Sequence, residues 1–462
     1  MFSGRRRGGE AREDRSEGFG ERLLGVLLDR AHEMPPQLIA PMVAEEVGRI
    51  GGRDVSILLQ DYEQLLLVPL PGRRLAISGP DPVVGSPAGE CFLLRRTVEV
   101  QERGGVRMYL PLLDGSDQIG VMVVTLDQVD DDDRRLLRRL AALVADMIVT
   151  KDAYTDEFFQ ARRRAPMAVA AEIQWSLLPP LSMTVPQVEV AGILEPAYQV
   201  AGDSFDYALN GDTLHVAMID AMGHGLDAAT MATVAIGSYR HTRRANTDLS
   251  QMYAFMDRAI GKQFGPDHFV TAQMLCLNVT TGHLKWVNAG HPPPVLIRAG
   301  AVHGRLESPT TLPLGLGGEQ PRVSERLLRP GDRILCFTDG LVEEHRGGEA
   351  QFGEPQFLDA IDQVLAAKGT EGVRAVVRVL SHELKHRRGG ITSDDASLFL
   401  IEWRGGAADH LAVMSQANHR GRPSGTRQDA GQAPLEAGTR MATHSTWWVK
   451  GKRSKARRVT GR

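Results

Sequence analysis

The chain has 462 residues, of which 42% are hydrophobic and 24% are charged, as in typical soluble globular proteins. This composition excludes a fibrous chain, and at roughly 150 residues per domain the length predicts two domains with tails. No window approaches about 18 consecutive apolar residues and the N-terminus lacks the apolar run of a secretory signal, so we expect a cytoplasmic protein with no membrane contact.

The first part of the chain predicts a small α+β domain. Residues 1–18 carry almost nothing that could be buried, and disorder is expected there. Within residues 19–150, two stretches with helical spacing precede short runs rich in Val, Ile and Leu, which are separated by turn signals such as Asp114-Gly115. A further helix with an acidic start follows. The run VRMYLPLLDGSDQIGVMVVTL resembles the end of a GAF sensor domain, which implies an upstream activator or a small ligand.

Residues 151–180 predict a linker helix between two domains. The segment FFQARRRAPMAVAAEIQWSLLPPL keeps helical spacing until Pro179 and Pro180 end it. Such a helix could transmit a signal, or it could pair with a second copy of itself and form a homodimer. A plain linker is the alternative.

Residues 181–403 form the longest ordered stretch that the sequence predicts. Strand-like runs alternate with helical ones, and the helices come in pairs rather than singly between strands. That order favours stacked antiparallel sheets covered by helices over a doubly wound parallel sheet. Residues 404–462 predict a disordered tail, which from residue 405 holds eleven Lys or Arg against three Asp or Glu. Nucleic-acid binding by this tail is the less favoured interpretation, because no folded scaffold accompanies it.

Several carboxylates in this stretch lie at strand ends or tight turns. Asp203, Asp220 and Asp339 each adjoin an apolar run, and Asp394 and Asp395 directly precede another. Carboxylates gathered at one edge of a sheet repel each other unless a cation neutralises them. Ligand sets made only of oxygen atoms suit Mg²⁺ or Mn²⁺, and two such ions can hold a phosphoryl group for attack by water. Taken alone, the spacing leaves ordinary turns and caps as an equal alternative.

A series of six motifs resembles that of the metal-dependent PPM protein phosphatases, in the bacterial branch of stage II sporulation protein E and RsbU-type regulators. In order, the motifs are VAGDSFDY, IDAMGHGLDAA, NAGHPPPVL, LPLGLG, GDRILCFTDGLVEE and SDDASLFL. The resemblance implies an α-β-β-α sandwich of two antiparallel sheets flanked by helices, with two Mn²⁺ or Mg²⁺ ions between the sheets.

The resemblance also implies roles for individual residues. The metal ligands would be Asp203, Asp220, the backbone carbonyl of Ala221, Asp339 and Asp394, with Asp395 as the alternative to Asp394. Asp206 would support the ligands from outside the metal shell. His224, in the turn after Asp220, would position groups near the metals rather than transfer a proton, and His291 would fix a loop.

These features together predict a serine/threonine protein phosphatase that an N-terminal sensor domain regulates. The resemblance implies a phosphorylated STAS-domain anti-sigma factor antagonist as the substrate, in a partner-switching pathway that controls a sigma factor. The alternative is a signalling scaffold whose phosphatase domain binds partners and turns over poorly. The filled acidic positions favour the enzyme.

Overall fold

Two layered assemblies follow one another along the chain, and both belong to one compact unit. The computed structural model describes residues 24–25, 27–31, 33–72, 75–76, 79–115, 117–195, 197–198, 202–309, 311–318, 320–342, 353–368, 372–387 and 396–406. The disorder predicted for residues 1–18 lies outside these ranges, and so does the disorder predicted for residues 404–462 from residue 407 onward. Within them, no helix combines the length and the apolar character that a membrane crossing requires.

The first assembly is a six-stranded antiparallel sheet with helices on both faces, which agrees with the predicted α+β domain. Its strand order is β3-β2-β1-β6-β5-β4. Because both faces are covered, the central strand β6 is buried along most of its length and reads as a continuous apolar run. The strands are β1 (Arg53–Gln60), β2 (Leu66–Pro69), β3 (Asp81–Pro82), β4 (Val98–Glu102), β5 (Gly105–Asp114) and β6 (Asp117–Leu126). The GAF resemblance of this domain remains a prediction.

The helices that pack on this sheet include α1 (Ile39–Arg49), α2 (Pro87–Leu94) and α3 (Asp131–Asp152). Helices α1 and α3 share one core with the sheet, and α2 covers the other face. Helix α3 begins at a capping box, in which Asp130 accepts a hydrogen bond from the N–H of Asp133 and Asp133 accepts one from the N–H of Asp130. This reciprocal pair satisfies two backbone donors that the first turn leaves free.

The linker contains two short helices where the sequence predicts one. Helix α4 (Glu157–Arg162) and helix α5 (Val169–Leu177) are separated by a segment that contains Pro166. Proline lacks a backbone N–H and disfavours helical geometry in the residue before it, so the helical spacing of the side chains does not produce a continuous helix. As predicted, α5 ends before Pro179, where Leu178 is extended.

The second assembly is a sandwich of two antiparallel sheets, which confirms the predicted α-β-β-α architecture. The sheets have the orders β15-β12-β11-β10-β9 and β14-β13-β16-β17-β8-β7. The strands are β7 (Ser182–Val185), β8 (Val188–Glu195), β9 (Asp203–Asn210), β10 (Thr213–Ala221), β11 (Val270–Asn278), β12 (His283–Ala289), β13 (Val295–Arg298), β14 (Ala301–Arg305), β15 (Ser324–Leu327), β16 (Asp332–Phe337) and β17 (Ala396–Trp403).

Two helices cover the outer face of each sheet. Helices α6 (Gly225–Arg244) and α7 (Leu249–Phe264) pack on the five-stranded sheet, and α8 (Glu354–Lys368) and α9 (Val373–Arg387) pack on the six-stranded sheet. A separate core fills the space between the sheets, where the rings of Phe205 and Phe399 lie 5.0 Å apart. Gly192 is required opposite them, because a Cβ there would lie 2.4 Å from the ring of Phe205.

An arginine joins the two assemblies. Arg374 on α9 donates hydrogen bonds to the Asp117 carboxylate (2.8 Å) and to the Gln118 carbonyl (3.2 Å), both on β6. Its guanidinium also lies 4.9 Å from the ring centre of Phe92 on α2. The first sheet therefore contacts the helix layer of the sandwich through a largely buried ion pair.

Candidate metal centre

Two of the predicted ligands face each other across neighbouring strands. Asp203 begins β9, Asp220 lies near the end of β10, and the register pairs them directly. Strand alternation puts both side chains on the inner face of the five-stranded sheet, because their alternating neighbours Phe205 and Met218 line the inter-sheet core. Directly opposed residues have Cβ atoms about 4.5–5.5 Å apart, a spacing at which like charges repel. Asp203 is 2% exposed, so water screens this repulsion poorly.

The six-stranded sheet contacts Asp203 through Thr338, the residue after β16. Its hydroxyl donates a 2.6 Å hydrogen bond to Asp203 Oδ2 and accepts one of 2.9 Å from the N–H of Ser397 on β17. Asp339 comes next and begins a short 3₁₀ helix, where it is half-buried. The ends of β9, β10 and β16 therefore meet at one edge of the sandwich.

Backbone contacts hold the loop before Asp203 close to β10. The N–H of Ala221 donates to the carbonyl of Gly202 (3.2 Å), and a Cβ on Gly202 would lie 2.2 Å from the carbonyl oxygen of Ala221. Only glycine therefore fits at position 202. The side chain of Ala221 is buried in the core against α6, so only its carbonyl is a possible ligand, as the resemblance implies.

A side chain outside the predicted set also contacts this site. Gln174 on α5 is buried, and its side-chain N–H donates to the backbone carbonyl of Asp203. The sequence predicts a helix here but gives no reason to single out this glutamine. The linker therefore contacts the backbone of a candidate metal ligand.

Asp206 lies on the outer face of the five-stranded sheet. It lies three residues after Asp203, so its side chain is on the opposite face of β9. There its carboxylate accepts hydrogen bonds from Arg243 (3.0 Å) and Arg240, both on α6. Asp206 therefore anchors α6 on the outer face of the sheet, and its support of the metal ligands stays a prediction. The sequence missed both arginines.

The two histidines have distinct settings. His224 is exposed and immediately precedes α6, four residues after Asp220. His291 is buried, its Nδ1 lies 2.8 Å from the hydroxyl of Thr271, and its backbone N–H and C=O both bond to the side chain of Asn288. Burial lowers the pKa of His291 to about 3, so this ring is neutral at pH 7. Its contacts fit the predicted role of fixing a loop.

Asp394 and Asp395 fall in residues 388–395, outside the described residues. In the part of the chain that the structure does describe, no three His, Cys, Asp or Glu side chains are grouped closely enough to hold a metal ion. The facing carboxylates of Asp203 and Asp220 nevertheless fit a divalent cation, because they bring oxygen ligands together at one edge of the sheet. Their oxygen atoms suit Mn²⁺ or Mg²⁺ rather than Zn²⁺.

Comparison with known proteins relates this region to described families. The protein IcfG of Synechocystis is 22% identical over 52% of this chain, and the phosphoserine phosphatase RsbU of Bacillus subtilis is 23% identical over 47% of it. The chain spans 41% and 65% of the lengths of these relatives. A crystal structure of the RsbU and RsbW domains of a Mycobacterium tuberculosis protein is 27% identical, with a TM-score of 0.43, and the match covers 49% of this chain and 63% of that one.

A family match covers the later part of the sandwich. Residues 210–404 match the family described as Stage II sporulation protein E (SpoIIE). The matched range contains Asp220, Asp339 and Asp394 and begins after Asp203. This part of the chain is therefore similar to the Stage II sporulation protein E family.

Proposed function

We propose that the chain is a metal-dependent protein serine/threonine phosphatase. The observation that carries the proposal is the directly opposed pair of Asp203 and Asp220, to which Thr338 adds a hydrogen bond from the second sheet. Two directly opposed carboxylates at the edge of the sandwich supply the oxygen ligands that Mn²⁺ and Mg²⁺ prefer. RsbU, a relative over 47% of the chain, is named a phosphoserine phosphatase.

The residues of the site would have two roles, to hold the metal ions and to orient a metal ligand. Asp203, Asp220, Asp339 and Asp394, with the carbonyl of Ala221, would hold two Mn²⁺ or Mg²⁺ ions. When bound, such ions polarise the phosphoryl group and lower the pKa of water so that it can attack at neutral pH. Thr338 and Gln174 would fix the orientation of Asp203 through its carboxylate and its backbone carbonyl.

A protein substrate fits the surface next to the pair better than a free phosphoamino acid does. Met222 and Leu226 are 38% and 52% exposed and lie within six residues of Asp220. A contiguous exposed apolar patch is typical of a surface that binds another protein, and these two side chains would contribute to such a patch. We propose a phosphorylated STAS-domain antagonist of an anti-sigma factor as the substrate, as the motif resemblance implies.

Regulation by the N-terminal domain is part of the same proposal. Two contacts support it: Arg374 joins β6 to α9, and Gln174 joins the linker to Asp203. The first contact runs from the first assembly to the sandwich, and the second runs from the linker to the sandwich. The cytoplasmic location and the homodimer expected from the sequence remain predictions.

The test is phosphate release from a phosphorylated STAS protein with Mn²⁺, with Mg²⁺ and with a chelator. We expect release that needs the metal and that Asp220→Asn reduces by at least about 100-fold, the scale on which catalytic electrostatic groups act. The matched control is Asp212→Asn, an exposed aspartate in the turn between the same two strands. Equal activity of the wild type and Asp220→Asn would exclude this site. Metal binding with no release from any phosphoprotein would favour the scaffold.

A further inference from the structure

A small cavity lies where the turn between β1 and β2 meets the sandwich. Its walls come from the end of β1, the turn after it, the start of β7, β8 and α9, so both assemblies contribute to it. It measures about 10 Å³, roughly the space that one water-sized particle occupies. None of the described residues assigned above to the metal centre lines it.

The walls of this cavity carry positive charge without negative charge. Arg374 and Arg378, one turn apart on α9, both line it, whereas no Asp or Glu is found among the described residues of the wall. Arg374 is satisfied within the protein, because it pairs with Asp117 and donates to the carbonyl of Gln118. The affinity of the cavity for a ligand therefore depends mainly on Arg378.

Arg378 is a buried cation without a direct partner. It is 6% exposed, its Nε has no hydrogen-bond partner, and its Nη atoms form no hydrogen bond or ion pair with the part of the chain that the structure describes. Unlike Nε, the Nη atoms are not fully enclosed, so a ligand in the cavity can reach them. Burial and then the charge of Arg374 lower the pKa of Arg378 to about 9, so the guanidinium is still charged at pH 7.

The two carboxylates that attract Arg378 from further away, Asp61 and Glu195, have partners of their own. Asp61 accepts hydrogen bonds from two backbone N–H groups at the end of its own turn, at 2.9 and 3.0 Å. Glu195 accepts one of 2.6 Å from the hydroxyl of Ser381. A buried charge without a direct partner is strongly unfavourable, so an anion bound beside Arg378 would stabilise the folded chain.

A second donor group lines the same space. Gln64, in the turn between β1 and β2, is 4% exposed, and its side-chain amide forms no hydrogen bond with the described residues. An amide N–H and a guanidinium are both donors, and an ion with negative charge accepts from both at once. The two groups come from different assemblies, because Gln64 follows β1 and Arg378 belongs to α9.

We propose that this cavity binds one small monatomic anion, such as chloride, between the guanidinium of Arg378 and the amide of Gln64. The two arginines select negative charge, and the volume selects a single small ion over a phosphate or a carboxylate ligand. The bound ion would connect the first assembly to α9. The proposal does not depend on the phosphatase activity, because binding is measured without any substrate or metal.

The test is urea unfolding of the full chain in chelator, with chloride replacing gluconate at constant ionic strength. Gluconate is too large for the cavity and serves as the anion that does not bind. Once chloride exceeds its dissociation constant, each tenfold increase should raise the ratio of folded to unfolded wild type about tenfold. Arg378→Met should lose this response. Arg96→Met, which removes an exposed arginine, is the matched control and should retain it.

A second variant, Gln64→Glu, keeps the test decisive if Arg378→Met fails to fold. Glutamate has nearly the same shape as glutamine and supplies the negative charge from the chain itself. We therefore expect this variant to be more stable than the wild type in gluconate and to respond little to chloride. Three results would overturn the proposal: equal stability of the wild type in chloride and gluconate, which would mean that the cavity holds water alone, a chloride response that survives Arg378→Met, or a full chloride response in Gln64→Glu.

Discussion

Asp203 and Asp220 lie directly opposite each other on adjacent antiparallel strands, with both carboxylates on the face that meets the second sheet. Pairs of like charge in this arrangement destabilise a sheet by about 0.2–1 kcal/mol. A cation bound between the two carboxylates attracts both of them, and this attraction outweighs their mutual repulsion. The pair is therefore expected to cost stability without metal and to add stability with it.

The first prediction concerns the stability of Asp220→Asn with and without metal. Asp220→Asn removes the repulsion, so in chelator we expect the variant to be more stable than the wild type by about 0.5 kcal/mol. With Mn²⁺ at about 100 times its dissociation constant, the wild type should gain about 2.7 kcal/mol and the variant much less. Thermal unfolding in chelator and in Mn²⁺ measures both quantities. Asp212→Asn should follow the wild type in both conditions, and an unchanged metal response in Asp220→Asn would contradict the assignment.

The second prediction concerns Thr338. Thr338→Val keeps the shape of the side chain but removes the donor to Asp203 and the acceptor for the N–H of Ser397. Leaving a buried N–H unsatisfied costs about 1–3 kcal/mol, which urea unfolding would measure. The concentration of Mn²⁺ that gives half-maximal phosphate release should also rise. Thr338→Ser retains the hydroxyl and should behave much like the wild type, so equal losses in both variants would exclude the hydrogen-bond explanation.

The sandwich and the strand-end aspartates could be predicted from sequence because their signals are local. Apolar strand-like runs lead up to Asp220 and Asp339, and strand alternation fixes which face each side chain occupies. The contact between Thr338 and Asp203 could not be predicted, because the two residues are 135 positions apart and only the packing of the two sheets brings them together. Asp206 illustrates the same limit: the motif suggests proximity to Asp203, whereas the pleat turns its side chain toward Arg240 and Arg243.

The linker was predicted less well than the sheets. Its apolar spacing indicates one helix over residues 151–180, but the backbone constraint at Pro166 overrides the side-chain pattern. The contact of Gln174 was not predicted, because the sequence around a buried glutamine does not indicate which group its side chain will bond to.

The third prediction tests the contact that Gln174 makes. Gln174→Leu removes the donor to the backbone carbonyl of Asp203, so this carbonyl is left buried without that bond. We expect a loss of stability of about 1–3 kcal/mol and a weaker metal affinity, because the strand end that carries Asp203 is less firmly held. Calorimetric titration with Mn²⁺ measures the affinity. Ser176→Ala, at an exposed position on the same helix, is the control. A metal affinity equal to that of the wild type in Gln174→Leu would limit Gln174 to a structural role.

The fourth prediction concerns the ion pair between the two assemblies. Arg374→Met leaves the mostly buried carboxylate of Asp117 without its arginine, which should cost about 3 kcal/mol in urea unfolding. A double-mutant cycle with Asp117→Asn should give a coupling energy of at least about 1 kcal/mol. Arg96→Met is the matched control, because the Arg96–Glu90 pair is exposed and should contribute less than about 1 kcal/mol. Additive effects of the two substitutions would mean that Arg374 acts by packing against Phe92.

The fifth prediction is a pH dependence that arises at Asp332, the first residue of β16. Burial alone would raise the pKa of this carboxyl group, but hydrogen bonds from Arg298 (2.8 and 2.6 Å) and from the N–H of Arg329 outweigh burial and lower it. A group whose pKa is lower in the folded state contributes stability above its unfolded pKa of about 3.9 and loses it as pH falls through the folded value. The free energy of unfolding should therefore fall below about pH 4, partly through this residue.

Asp332→Asn isolates the contribution of this carboxylate. The variant should be less stable than the wild type at pH 7, because the arginine loses a charged partner. The free energy of unfolding of the variant should also fall less steeply as the pH decreases, because one group that takes up a proton on unfolding has been removed. Urea unfolding between pH 3 and pH 7 measures both, with Asp212→Asn as the exposed control. If the two variants had the same slope below about pH 4, the acid sensitivity would have to come from other carboxylates, and the Arg298 pair would contribute only a pH-independent contact.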